Sequence, residues 1–418
     1  YRIVIVVCEH ECTRNLLRVF LKREPMTHYL TFLIFLVLLL ASGNGIAKTL
    51  PDIYDGARTR LTQLYQNDPD QIKRKVKAVN HWLQGPASLQ LVALPSNTAN
   101  GEDEYEIGVF LPFRSPQGRA LDKQQSELTQ RFSKAREQRF SLLASGLFRE
   151  ALWRRVMAQT ELEGLKKKQK WIDSLDVTIQ KLSQNGELGR ATLLRWEQEK
   201  LSHQLTLSQA KIALNNAKQR YREIAGTQDL PDSPQETVIP NIDNAIQTHP
   251  ELTLLLLSQQ QLNLNYDFAD QSLAPWTLGI IARQLKGPAG NNNLLGVSVN
   301  IPLTGSDTTS VNDYALWRDA SNALNGSLAT TYARIQQQLS ETTATYEYTK
   351  EAEKVLSKQV TLGEEIAALY LKQADSLPKV VWLEQLLSQQ DTILALEKMK
   401  VRRAEAASKL NQIAGVAL

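Results

Sequence analysis

The stretch Ile107-Gly108-Val109-Phe110-Leu111-Pro112 returns later in the chain as Leu295-Gly296-Val297-Ser298-Val299-Asn300-Ile301-Pro302, with the two closing prolines 190 residues apart. Downstream, Arg222-Glu223-Ile224-Ala225-Gly226 recurs as Asn411-Gln412-Ile413-Ala414-Gly415, and these glycines are 189 apart. Upstream, Asp68-Pro69-Asp70 parallels His249-Pro250-Glu251, each reading as a helix start with Pro in the first turn. Matched landmarks in one order indicate an internal duplication. The first repeat is expected over residues 48–226 and the second over 243–418. Residues 227–242, with Pro231, Pro234 and Pro240, read as the linker. Each repeat has one grammar: a helix, two strands, a very long helix, a break, and a second helix ending at Gly226 or Gly415, glycine being the usual residue after a helix C-terminus.

The strands alternate with period two. Tyr105, Ile107, Val109 and Leu111 share one face, against Glu106, Gly108 and Phe110. Trp276, Leu278, Ile280 and Ala282 share a face, as do Leu295, Val297, Val299 and Ile301. Ser88 to Leu94 alternates less cleanly. One apolar and one polar or small face suits a half-buried soluble sheet and equally a membrane barrel, whose outer face meets lipid and whose inner face meets water.

The helices decide between them. Residues 117–183 and 306–373 contain no proline, and stretches of that length would make helices roughly 100 Å long. Leu207, Ala210, Leu214, Ala217, Tyr221 and Ile224 follow a 3-4-3-4-3 spacing, the seam of a coiled coil. Four strands cannot close a barrel, and open edges favour assembly. Three copies would give twelve strands, an even number suited to an outer-membrane barrel, with the helices continuing it as a tube.

The 418 residues carry a net charge of +4, with 42 % hydrophobic and 22 % charged residues, which excludes a disordered or collagenous chain. A mean hydropathy of −0.31 is too polar for a multi-span helical membrane protein. The charge is too mild to argue for nucleic acid. Leu30 to Ala41 is an apolar run interrupted only by Thr31, followed by Gly45 and Ala47 at the −3 and −1 positions of a cleavage site. Residues 26–47 therefore read as a signal peptide, and residues 1–25 as upstream sequence foreign to the working protein. Cys8, His10 and Cys12 fall in that upstream piece and make an incomplete zinc set; with no cysteine after the apolar run, a lipid-modified N-terminus is not expected.

From about Leu50 to Gly415 the chain resembles the TolC-like outer membrane efflux protein family, and in particular the branch associated with heavy-metal efflux. The resemblance rests on the duplication, the Gly-Val…Pro strand ends, His249-Pro250-Glu251-Leu252, and the segment Gln184-Asn185-Gly186-Glu187-Leu188-Gly189-Arg190-Ala191-Thr192-Leu193-Leu194, which is similar to the family's helix-to-helix turn. In the second repeat Ala374 stands where the family usually has Gly. The resemblance implies a mainly α fold with a small β part. Long coiled-coil helices would form a periplasmic α-barrel, and four strands per chain a trimeric 12-stranded outer-membrane β-barrel. It implies a passive exit duct in the outer membrane of a Gram-negative bacterium, working as a homotrimer with a periplasmic adaptor and an inner-membrane pump of the RND or another type. No enzymatic activity, cofactor or bound metal is implied.

On that reading, lipid is met by Tyr105, Ile107, Val109, Leu111, Trp276, Leu278, Ile280, Leu295, Val297, Val299 and Ile301. The adaptor is met at the far end of the long helices by Gly186, Glu187, Leu188, Gly189 and Arg190, with Asp375, Ser376, Leu377 and Pro378 beside them. Gly186 and Gly189 are expected to let the chain reverse, and Leu188 to stand out as an apolar knob. Trp82, Trp276, Phe110 and Phe113 lie near strand ends and suit interfacial anchoring. Lys166, Lys167, Lys168 and Lys170 read as a solvated face, Glu102-Asp103-Glu104 as a solvated tip, and the scattered histidines as surface or capping residues. Two other readings compete. A periplasmic adaptor would carry one helical hairpin between split strand segments, whereas here the whole unit repeats; a coiled-coil scaffold would have strands polar, or buried, on both faces. An enzyme finds no support, since no G-x-S-x-G, phosphate loop or H-E-x-x-H occurs.

Overall fold

A computed structural model describes residues 49–65, 82–98, 100–240, 242–270, 276–301, 311–372 and 379–418. The expected signal peptide over residues 26–47, the segment before it, Asp68-Pro69-Asp70 and the expected turn at Asp375, Ser376, Leu377 and Pro378 lie outside the described residues. The order is α1 (Leu50–Tyr65), β1 (Ser88–Leu94), β2 (Asp103–Phe113), α2 (Pro116–Gln184), α3 (Arg190–Ala225), α4 (Ile242–Gln247), α5 (Pro250–Asp270), β3 (Trp276–Gly287), β4 (Gly290–Asn300), α6 (Val311–Lys372) and α7 (Lys379–Ile413). The fold is mainly α with four strands.

Helix α2 has 69 residues, about 100 Å at 1.5 Å each. Pro116 opens it, where a missing N–H costs nothing, and the Ser115 hydroxyl accepts from the Gly118 N–H at 3.0 Å. Along its first half α2 packs on α5 through Leu121, Leu128 and Ala135, seven residues apart, against Leu257 and Leu264. Further along it packs on α3: Ala158, Leu162 and Leu165 meet Ala210, Leu214 and Ala217, the seam read from the sequence. Helix α7 packs on both α2 and α6, and α5 also packs on α6.

At mid-length α1 lies on α2 and α3. Tyr54 meets Phe148 edge-on and Phe148 meets Tyr221 at a tilt, each pair with 6.0 Å between ring centres, and all three are buried. Beside them is a polar knot. The linker residue Glu236 accepts from Arg149 Nε and Nη2 at 2.9 and 2.5 Å, from the Ser408 hydroxyl, and from Asn411 Nδ2 at 3.2 Å. Arg149 Nη1 also donates to Gln412 Oε1 at 2.6 Å and to the Val416 carbonyl at 2.9 Å. Burial pushes the Glu236 carboxyl up, but the hydrogen bonds and charge of Arg149, with Ser408 and Asn411, outweigh it and hold the group below the usual carboxylate range.

The four strands form one antiparallel sheet in the order β1-β2-β3-β4. Strands β3 and β4 are longer than their apolar alternation, because the ladder continues through Arg283–Gly287 and Gly290–Leu294, where polar residues interrupt the pattern but not the backbone pairing.

Candidate functional site

Two places answer to the expectations: the sheet and the turn at the far end of α2. The register builds the sheet row by row. Leu111, Leu278 and Val299 are one row; Leu89, Val109, Ile280 and Val297 the next; Leu91, Ile107, Ala282 and Leu295 a third; Ala93, Tyr105, Gln284 and Asn293 a fourth. Every position anticipated as lipid-facing from Tyr105 to Val299 therefore shares one face, and Ile301 keeps the same alternation just past β4. Leu295 and Val297 are 81 % and 72 % exposed, while Leu111 and Leu278 are half-buried. Leu89 and Leu91 belong to the same face and are exposed; the sequence reading found their strand but not their role, because Val92 and Leu94 blur its alternation.

The opposite face is mixed: Ser88, Gln90, Glu104, Glu106, Arg283, Ser298 and three glycines alternate with Val92, Leu94, Phe110, Ile281, Leu285 and Leu294. Phe110 lies over two glycines: a Cβ on Gly108 would come within 2.7 Å of its ring, and one on Gly279 within 2.5 Å. Phe110 is thus a packing residue on this face and not an interfacial anchor. Trp82, Phe113 and Trp276 sit at the end of the sheet nearest α2, with Arg119 stacked 5.3 Å from the Trp82 ring.

The turn between α2 and α3 is a paired-hydrogen-bond helix stop. The Glu187 N–H donates to the Leu182 carbonyl at 2.9 Å and the Gly186 N–H to the Ser183 carbonyl at 3.1 Å. Gly186 has φ +73°, where a side chain would be strained. Gly189, by contrast, has ordinary extended backbone, φ −69° and ψ 149°, and open space around it. One glycine, not two, makes the reversal. Leu188 is also corrected: it is not a free knob but half-buried, packed with Trp171, Leu175 and Leu193 on a core of Ile172, Ile179, Trp196 and Leu383. The tight stop turns it back onto the helices. Glu187, Gly189 and Arg190 are exposed. Near this turn Arg195 of α3 pairs with Glu384 of α7 at 2.6 Å.

Lys168 departs from the expected solvated face. It is buried, 2.7 Å from Asp391 and 3.6 Å from Glu199, while Lys166, Lys167 and Lys170 are exposed. His249 caps α5, its Nδ1 accepting from the Glu251 N–H at 3.2 Å. His203 is buried rather than at the surface; burial, then the charge of Lys168, pushes its imidazole down. Among the described residues no group of His, Cys, Asp and Glu is placed to hold a metal, and no helix is long and apolar enough to cross a membrane.

No family model and no curated protein matches the chain. Solved structures do. The Neisseria gonorrhoeae MtrE outer membrane channel in its open state superposes with a TM-score of 0.60 at 13 % identity, over 87 % of this chain and 88 % of that one. CusC, described as forming a transmembrane channel, superposes at 0.60 and 13 % identity, over 89 % and 93 %. The outer membrane protein VceC of Vibrio cholerae does so at 0.54 and 12 %, over 88 % and 96 %. The similarity covers most of this chain and of each of those, and the chain has the fold of the TolC-like outer membrane channels.

Proposed function

We propose that this chain is the outer-membrane exit duct of a tripartite efflux system, a homotrimer that passively conducts substrates handed over by an inner-membrane pump through a periplasmic adaptor. The observation that carries the reading is the sheet: one face with an exposed apolar band three rows deep, from Leu111 to Leu295, a second face that carries charged and small residues, and, among the described residues, two unpartnered outer edges, on β1 and β4. Backbone groups on such edges cannot be left bare in lipid, so the sheet must close with copies of itself. The dimensions agree. Eight steps from Tyr105 to Phe113 cover about 27 Å along the strand at ~3.4 Å each, or about 21 Å at a barrel tilt near 40°, against an apolar band of ~25 Å. Trp82, Phe113 and Trp276 at one margin and Tyr105 at the other suit the two headgroup levels.

The helices support the same closure. Leu194, Leu201, Leu205 and Ile212 form an exposed stripe on α3, and Tyr348, Val355, Leu362 and Leu369 an exposed stripe on α6 at strict seven-residue spacing. Counted from the far end, Leu194 and Leu369 stand at one level and Leu201 and Leu362 at the next. We read these as the seam between neighbouring copies. Cysteines at Leu201 and Leu362 should then cross-link into covalent trimers in isolated outer membranes; protein that stays monomeric there refutes the duct.

The exposed turn at Gly186, Glu187, Gly189 and Arg190, with Asp375, Ser376, Leu377 and Pro378 of the second repeat, is the proposed adaptor contact. Leu188 supports it from beneath. Gly189→Trp should abolish efflux while leaving the trimer and its membrane location intact; wild-type resistance in that variant would move the docking point elsewhere.

A further inference from the structure

The polar face of the sheet carries three charged side chains in its paired rows: Glu104, Glu106 and Arg283. All three lie toward the end of the strands farthest from the helices. Glu106 and Arg283 face each other across β2 and β3. Arg283 Nε and Nη2 donate to Glu106 Oε2 at 3.1 and 2.8 Å, and Nε also lies 3.0 Å from Glu104 Oε1. One guanidinium is thus shared by two carboxylates, and the three groups sum to one negative charge. Their other neighbours on this face, Val92, Leu94, Leu285 and Leu294, supply no second cation.

We propose that Arg283 sets the ion preference of the duct's outer mouth by neutralising half of a carboxylate ring. The proposal rests on the duct reading, in which three copies bring six carboxylates and three guanidinium groups to one level of the lumen. A charged ring beside low-dielectric walls raises the local concentration of counter-ions and favours their passage. With Arg283 in place the ring is weakly negative. Without it, Glu104 and Glu106 act unopposed.

The test is the potassium-to-chloride permeability ratio of the whole protein in planar bilayers under a potassium chloride gradient. Arg283→Gln is expected to raise the ratio at least about twofold near 0.1 M salt, and the rise should shrink near 1 M, where the Debye length falls from about 10 Å to about 3 Å. Arg283→Lys should stay close to wild type. The combined change Glu104→Gln with Glu106→Gln should shift the ratio the other way, toward chloride, and it tests the ring even where Arg283→Gln inserts poorly. Conducting channels whose ratio is unchanged in both charge variants overturn the role of Arg283 and leave the duct standing. Protein that enters the bilayer and passes no current overturns the duct, and this proposal with it.

Discussion

The sheet and the helical shaft are built inside out relative to each other. On the sheet the large apolar side chains, Leu295 and Val297 foremost, point away from the protein while Phe110, Gly108 and Gly279 fill the other face. On the shaft Phe148, Tyr221 and Trp196 are buried, most charge lies outside, and the buried charges Arg149 and Lys168 are paired. One chain thus obeys two rules about where apolar groups go. On the proposed duct reading, the pattern follows the solvent each segment is built for: hydrocarbon around the strands, water around the helices.

Changes at the waist of the shaft should cost most. Arg149→Met strands Glu236 as an uncompensated buried charge and should destabilise by about 3–5 kcal/mol, read from urea unfolding in detergent. Adding Glu236→Leu should recover much of that loss, as removing a whole pair does. No recovery would mean that the knot acts through shape and not through charge.

The sheet tests the comparison directly. Val297→Arg should cost about 2–4 kcal/mol of barrel stability, whereas Ser298→Arg, one residue on and on the opposite face, should cost less than half as much. Equal damage at both positions would break the contrast between the two faces.

Acid should act on the waist of the shaft through Glu236. Glu236 has a lowered pKa in the folded protein, so its contribution is fully present above the ordinary glutamate value near 4.3 and is lost as pH falls through the lower folded value. The melting temperature should drop as pH falls below about 4.3, and the drop should flatten in the Arg149→Met, Glu236→Leu double variant. The smallest effects belong to the far turn. Gly186→Ala forces a side chain into left-handed backbone and should cost about 1–2 kcal/mol, while Gly189→Ala, in extended backbone, should stay within about 0.5 kcal/mol. Equal losses at the two glycines would contradict the single-glycine reversal.

Much of this was legible before any coordinates. Period-two alternation exposed the apolar face because a strand's side chains report directly on what lies to either side. The repeat order and the α3 seam were readable for the same reason: both are periodic. What escaped depends on distant partners. Glu236 looks like one more polar residue in a proline-rich linker, yet its partners Arg149 and Ser408 lie 87 and 172 residues away in sequence. Lys168 sits in a basic run, and only Asp391 across the bundle marks it as buried. Leu188 precedes a glycine and looks free until the helix stop folds it back. The carboxylate pair around Arg283 was hidden because Glu104 reads as part of an acidic loop, while the ladder extends through it.

The waist knot also bears on how the molecule is made. Arg149 is satisfied by Gln412 and Val416, 263 and 267 residues further along the chain. A chain that emerges from its N-terminus first offers Glu236 to Arg149 soon after α3, but leaves Arg149 Nη1 without Gln412 and Val416 until those residues arrive. Contacts of such long sequence separation form late and slowly. Helix α7 and Val416 therefore act as a latch, completing a waist that Arg149 and Glu236 begin, and changes at Gln412 should loosen that waist while leaving the helices and strands formed.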